Sequence, residues 1–212
     1  MRVEVSPGAV SSTGTPNTYE GFTITNSTRM IGNYLRGRLP AIVDGETNVV
    51  DVRDLAKGHL RAAERGRAGE RYVLGGHDTR WVDLFERVAE LTGVRHPLLV
   101  LPREAGRLAR AAEAAGLPSP VSAEGLVLMA QNWRYSSAKA RRELGYRARA
   151  LDRTLTDTID WYRDLIDTGT LGRGRPSALS LAAAGMRVAD RSGALGALRI
   201  AERYVGRRLV AP

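Results

Sequence analysis

Short runs rich in β-branched residues alternate along this chain with longer segments whose apolar residues recur at helical spacing. That alternation restricts the fold more than any other feature. Strands alternating with helices argue for an α/β or α+β domain. Pro40-Ala41-Ile42-Val43, Asn48 to Val52, Arg71 to Leu74 and Leu98 to Leu101 read as strands, as does Arg2 to Val5 before Ser6-Pro7-Gly8. Residues 11–28, dense in Ser, Thr, Gly, Pro and Asn, read as a long loop. Asp44-Gly45 reads as a turn.

Helices are predicted from about Ser27 to Gly37, from an Asp54 cap to about Glu64, and from a Thr79 cap to Gly93. Val82, Leu84, Phe85, Val88, Ala89 and Leu91 form the core face of the third. Further helices are predicted over about 103–115, 122–131, 137–144 and 151–167, with Ser136 or Ser137 capping the third of these and Gly145 ending it. Gly172-Arg173-Gly174-Arg175-Pro176 breaks the pattern. The chain is therefore divided into residues 1–168 and a separate basic, helical tail, 169–212.

Charge sets the tail apart. The net charge is +9. From Leu171 to Pro212 eight arginines face only Asp190 and Glu202, so the tail carries +6 of it. The remainder is nearly balanced, and no aromatic-and-basic stacking pattern appears, so no nucleic acid is expected as partner. On a helical wheel Arg199, Arg203 and Arg207 form one stripe, with Leu195, Leu198, Val205 and Leu209 beside it. Such a face packs on the chain itself or lies on an anionic membrane surface, and the first is preferred because Gly185, Gly193 and Gly196 weaken a long free helix.

The rest of the composition excludes chemistry. With no cysteine, there is no disulfide, thiolate metal site or cysteine nucleophile. His59, His77 and His96 lack metal-ligand spacing, so no metal is expected. No run of about 18 apolar residues and no N-terminal apolar segment is present, which makes a cytoplasmic chain the expectation, peripheral to a membrane at most.

Three stretches, in order, carry a resemblance. Asn48-Val49-Val50-Asp51-Val52-Arg53-Asp54-Leu55-Ala56-Lys57-Gly58-His59 resembles the NFVHVDDVAxAH segment of extended short-chain dehydrogenases/reductases. Gly69 to Gly76 resembles their GERYILGG, and Ser137 to Tyr146 their SSKARRELGY, followed by a last helix with Asp160-Trp161-Tyr162. The match runs over roughly residues 1–168 and is similar to the C-terminal portion of NAD(P)-dependent epimerases/dehydratases, with dihydroflavonol-reductase-like enzymes and hopanoid-associated sugar epimerases as the nearest kinds. Gly37 to Val52 matches the latter.

The resemblance implies a Rossmann-type α/β fold with a small substrate-binding lobe, a bound NAD or NADP, and a sugar-nucleotide or ketone/alcohol substrate. It also implies a glycine-rich turn that lets the backbone approach the pyrophosphate, and an active-site tyrosine with a lysine four residues later. No GxGxxG or GxxGxxG is present. Tyr135 and Lys139 alone have the tyrosine–lysine spacing, but in the family the pair lies upstream of the strand matching Val3 to Ser6. Tyr135 is therefore read as a core aromatic beside a helix cap, and no catalytic residue is assigned. Ser6, Pro7 and Gly8 match the loop that passes beside the nicotinamide, with Ser6 where Asn is usual and Gly8 where Ser is usual. Thr28, Arg29, Asp51 and Arg53 are the substrate-side candidates.

The expectation is a truncated or C-terminal substrate-binding portion, inactive alone and without tight hold on NAD(P). It would complete itself with a missing N-terminal Rossmann part, or form a homodimer through the unpaired edge of Arg2 to Val5. The rival reading is a non-catalytic scaffolding module that pairs with a Rossmann-containing chain or an anionic membrane.

Overall fold

In a computed structural model, residues 18–19, 22–23, 26–116, 123–171 and 177–211 are described. The predicted strand Arg2 to Val5 and the loop Ser6-Pro7-Gly8 lie outside them. In chain order the elements are β1 (Thr18–Tyr19), β2 (Phe22–Thr23), α1 (Asn26–Leu35), β3 (Ala41–Val43), β4 (Glu46–Val49), α2 (Val52–Arg65), β5 (His77–Arg80) and α3 (Trp81–Thr92). They continue with β6 (Leu98–Leu101), α4 (Ala105–Ala114), α5 (Ala123–Met129), α6 (Ala138–Leu144), α7 (Leu151–Asp167), α8 (Ala178–Arg191), α9 (Gly196–Val205) and β7 (Val210–Ala211). The fold is α/β, as the alternation requires. The long loop is interrupted by the antiparallel pair β1–β2, with Thr18 opposite Thr23.

The chain forms two units. The first gathers Glu46–Thr79 and Asn132–Thr158 with the described residues up to Arg29. Here β4 and β5 form a two-stranded sheet. Leu55, Ala62, Tyr72, Leu74, Ala140, Leu144 and Tyr146 make the core, with Ala148 against it. Gly58 of α2 makes close packing possible, since a Cβ there would stand 2.8 Å from Leu74 and 3.0 Å from Tyr146.

The second unit gathers Met30–Gly45, Arg80–Gln131 and Ile159–Pro212. Its sheet has the order β3-β6-β7. β3 and β6 run parallel, Ile42 opposite Val100; β7 joins β6 antiparallel, Leu99 opposite Val210. Val82, Phe85, Val88 and Ala89 of α3 are buried, as their spacing predicts, and Gly93 ends the helix in the left-handed conformation at φ 70°. Tyr34 stands 5.4 Å from Phe85 and donates its hydroxyl to the Val94 carbonyl at 3.1 Å.

Several local expectations are corrected. Asp44-Gly45 makes no hairpin, because β3 pairs with β6 and β4 with β5. The strand expected over Asn48 to Val52 lies earlier, at β4, and Arg71 to Leu74 carries only an isolated bridge at Val73. Asp51, not Asp54, is the N-cap of α2. Thr79 sits in β5, and Arg80 precedes α3 without a side-chain cap. Of the two cap candidates of α6, Ser137 spends its hydroxyl on Gly75, accepting from the Gly75 N–H and donating to the Gly75 carbonyl, each at 2.9 Å, while Ser136 accepts the first-turn Ala138 N–H at 3.4 Å. At Asp54 and Ser137 a long-range partner, Arg149 and Gly75, takes the side chain that would have capped the helix.

The tail is not one helix. α9 stops at Gly206, left-handed at φ 66°, so Leu209 is not on its face, and the chain turns into β7. Ala183, Leu195, Val210 and Ala211 are buried within the second unit. Glu202 accepts the Leu209 and Val210 N–H groups, each at 2.9 Å, which fixes the turn. Arg199 pairs with Asp190 at 2.9 Å, Arg208 with Glu86, and Arg187 donates to the Gly37 carbonyl.

Gly45 has a stricter duty than a turn. A Cβ there would stand 2.0 Å from the Met129 carbonyl oxygen. That oxygen accepts the Trp81 indole N–H at 3.1 Å, and the Gly45 carbonyl accepts the Trp81 backbone N–H at 3.1 Å. Gly45→Ala is expected to cost about 2–3 kcal/mol through the forced backbone shift. Gly185→Ala meets open space on a helix and is expected to be neutral or stabilising by up to about 1 kcal/mol. Chemical denaturation of the two variants checks both, and equal effects would refute the account of Gly45.

Candidate functional site

α2 starts where it does because Asp51 is in extended conformation and its Oδ1 accepts the Arg53 N–H at 2.9 Å. The same carboxylate takes two bonds from the Arg53 side chain, Nε to Oδ1 at 2.9 Å and Nη2 to Oδ2 at 2.6 Å. Arg53 also reaches Asp157 of α7 at 2.5 Å. Asp54, one turn into α2, is buried. Both its oxygens are engaged by Arg149, which donates from the backbone N at 2.8 Å, Nε at 2.9 Å and Nη2 at 2.8 Å. Arg149 lies 3.4 Å from Asp51 and 3.8 Å from Asp157, and Arg153 closes on Asp157 at 3.1 Å. Three carboxylates and three guanidinium groups thus form one balanced network in the first unit.

The electrostatics follow from that pairing. Burial pushes the Asp51 carboxyl up, but the bonds from Arg53 and the charges of Arg53 and Arg149 outweigh it, and the group lies below the usual carboxylate range. Asp54 is lowered too, chiefly by the Arg149 hydrogen bonds, against the opposing effect of burial. Arg53 is raised by its bonds to Asp51 and Asp157. Tyr146, in the core beside this network, is pushed up to about 12 by burial and then by the negative charges of Asp54 and Asp51. Its hydroxyl is buried without a hydrogen-bond partner.

Neither Asp51 nor Asp54 is suited to proton transfer near neutrality. Both stay ionised, and their oxygens are occupied by N–H donors. Asp51 and Arg53 are therefore together, but as partners of each other. Arg53 keeps half its side chain (51 %) open to solvent. Thr28, half-buried, and Arg29, exposed, lie in the first turn of α1. Ser6, Pro7 and Gly8 lie outside the described residues.

Tyr135 and Lys139 do not act as a pair. Lys139 is held by Glu70 at 2.5 Å and stands 4.8 Å over the ring of Tyr72, whose hydroxyl donates to Glu143 at 3.0 Å. Tyr135 is half-buried rather than in the core, stacked on Trp133 at 6.3 Å, with its backbone N–H on Asp78 at 3.2 Å. Asp78 also accepts from the buried Asn48 at 2.6 Å, and Asn48 accepts the Gly76 N–H at 2.8 Å. Arg149 carries no local sequence signal, and Arg153 and Asp157 show only as an i,i+4 charge pair on α7. Their place in the network is recognisable only once a partner 95 residues from Asp54 is brought to it. Among the described residues no group of His, Cys, Asp and Glu has metal-binding geometry.

No family model matches the sequence. A putative dihydroflavonol 4-reductase of Synechocystis sp. is 29 % identical over 144 residues, 64 % of this chain and 42 % of its own. The crystal structure of a nucleoside-diphosphate-sugar epimerase from Pseudomonas aeruginosa is 38 % identical, with a TM-score of 0.53 over 66 % of this chain and 42 % of that one. That of the protein gox2253 is 33 % identical, with a TM-score of 0.58 over 76 % and 48 %. The chain thus spans less than half the length of the relatives it matches.

Removing the Asp54 charge weakens three charge-assisted hydrogen bonds and leaves Arg149 only its longer contacts to Asp51 and Asp157, so Asp54→Asn is expected to cost about 2 kcal/mol. Because Asp51 and Asp54 are lowered in the folded protein, their contribution is full above the unfolded carboxylate value of about 4 and is lost as pH falls below it. Denaturation from pH 6 down to about pH 3 should show that loss, with a shallower slope in Asp54→Asn; an unchanged slope would refute the assignment.

Proposed function

Because the chain is homologous to extended short-chain dehydrogenases/reductases of the NAD(P)-dependent epimerase/dehydratase kind, we propose that it is the substrate-binding portion of such an enzyme and is inactive alone. The substrate class is a sugar nucleotide or a related ketone or alcohol. Residues 1–168 are the enzyme-like part and 169–212 an appended tail. The observation that carries this reading is the extent of the match, less than half of each relative.

The residues present support it. In the family the nicotinamide supplies hydride transfer. A pyrophosphate cradle needs glycines at a helix N-terminus. Among the described helices the residue before the first turn is Asp51 at α2 and Glu104 at α4, whose charges repel a pyrophosphate, and Arg80, Ser137, Ser177 or Leu195 at α3, α6, α8 and α9. None follows a GxGxxG or GxxGxxG run. The described residues do not fit the cofactor, so no step runs through it here. What they offer is charge: the exposed Arg29 with Thr28 beside it, and the open half of Arg53, meet the phosphates of a substrate, while Asp51 and Asp157 hold Arg53 in place.

Calorimetric titration of the purified chain with NADH, NADPH and UDP-glucose tests this. Weak binding of UDP-glucose that is lost in Arg29→Gln and Arg53→Gln, with no micromolar binding of either dinucleotide, is expected. Micromolar affinity for NADH or NADPH would overturn the substrate-portion reading. Absence of UDP-glucose binding would overturn the substrate-side assignment of these arginines.

A further inference from the structure

The residues of the tail divide between two faces. On α8, Ala183 is buried, and Leu179, Met186, Arg187 and Asp190 are half-buried on the same side. The opposite side carries Ala178, Leu181, Ala182, Gly185 and Val188, three or four residues apart and all exposed. Leu181 and Val188 are each 64 % exposed, and nothing lies within 4 Å of where a Gly185 side chain would stand. No charge interrupts this outward face until Arg191 at its C-terminal end. α9 adds Ile200 (61 %) and Val205 (52 %). Five of the nine exposed large apolar side chains among the described residues fall in the tail. A single exposed leucine needs no explanation, but a helix face made only of apolar residues does.

The charge on this surface selects its occupant. Both tail acids are engaged within the unit, Asp190 by Arg199 and Glu202 by the Leu209 and Val210 N–H groups. Arg191 and Arg207 are exposed, and neither has an acidic partner among the described residues. A second copy of this chain would bring the same excess of arginine against itself. An apolar face that ends at the unpaired guanidinium group of Arg191 is complementary to a sheet of negative headgroups over hydrocarbon. Arginine also reaches headgroup phosphates while its stem covers apolar surface.

We propose that the outward face of α8, from Ala178 to Val188, with Arg191 and the exposed Arg207 following α9, is a docking surface for an anionic lipid bilayer. Contact is peripheral: no described helix is long and apolar enough to cross a membrane. Leu195, on the wheel face expected to pack on the chain itself or to lie on a membrane, is buried in the unit, and the apolar docking face belongs to a different set of residues.

Flotation of the full chain with phosphatidylcholine vesicles, with and without phosphatidylglycerol, tests the surface. The expected result is binding to the anionic vesicles alone, weakening with added salt. The double variants Leu181→Ser/Val188→Ser and Arg191→Glu/Arg207→Glu should each reduce it at least tenfold. All four residues are exposed, so both variants should keep the wild-type circular dichroism and melting curve, and Leu60→Ser on α2 should bind as wild type. No binding to anionic vesicles at low salt, or binding that survives both double variants, overturns the proposal. Retention on heparin that is insensitive to Leu181→Ser/Val188→Ser, without vesicle binding, assigns the arginines to a soluble polyanion and overturns it too. None of these outcomes depends on whether the chain binds UDP-glucose.

Discussion

The pairing of Asp54 with Arg149 is the interaction on which the first unit depends. A buried carboxylate costs several kcal/mol unless donors replace its lost water. Asp54 sits in the first turn of α2, where a negative charge also meets the free N–H groups of the helix. Arg149 satisfies both of its oxygens with three N–H donors, one of them from the backbone. That backbone bond holds the segment after Gly145 against α2, above the core of Leu55, Tyr72, Leu74, Leu144 and Tyr146. Asp51, Arg53, Asp157 and Arg153 then extend the network without adding net charge. The stretch Asp51-Val52-Arg53-Asp54, which carries much of the likeness to dehydrogenases, thus has a physical reason to persist apart from any reaction.

The second unit is held differently. Its sheet is completed by residues from the far end of the chain, β7 on β6. Glu202 fixes the turn into β7, and Arg208 ties the strand's approach to Glu86 of α3. The arginines that give the tail its basic charge are divided by this arrangement. Arg187, Arg199 and Arg208 serve the unit, and Arg191 and Arg207 remain outward. The apolar residues are divided in the same way, which leaves a helix face whose composition is that of an interface.

These two facts bear on function in opposite directions. In the first unit the residues that look most chemical are spent on one another, and of Asp51, Arg53 and Asp54 only Arg53 keeps half its side chain open to solvent. In the second unit residues that look like ordinary surface are unspent. The likeness to epimerases and reductases extends over 64–76 % of the chain, beyond the first unit. It has no bearing on the tail's outward face, which follows from periodicity, exposure and charge.

Elements defined by local periodicity were legible from the sequence. α7 and β6 have the predicted bounds, α3 has the predicted core face and stop, and α6 ends at Gly145, because spacing and left-handed glycines act over one or two turns. Caps were misjudged wherever a side chain had a choice. Ser137 turned to Gly75, and Asp54 to Arg149, because a buried partner gains more than a solvated helix end. What only the tertiary structure decided is which strand meets which, and which charges are consumed. β7 seats on β6 and Arg149 on Asp54 across long stretches of chain, and residues so far apart leave no mark on each other's local pattern. The sequence by itself determined an alternating α/β chain with a basic end. The fold determined that Asp51 and Arg53 hold each other, and that the outward side of the basic end is apolar.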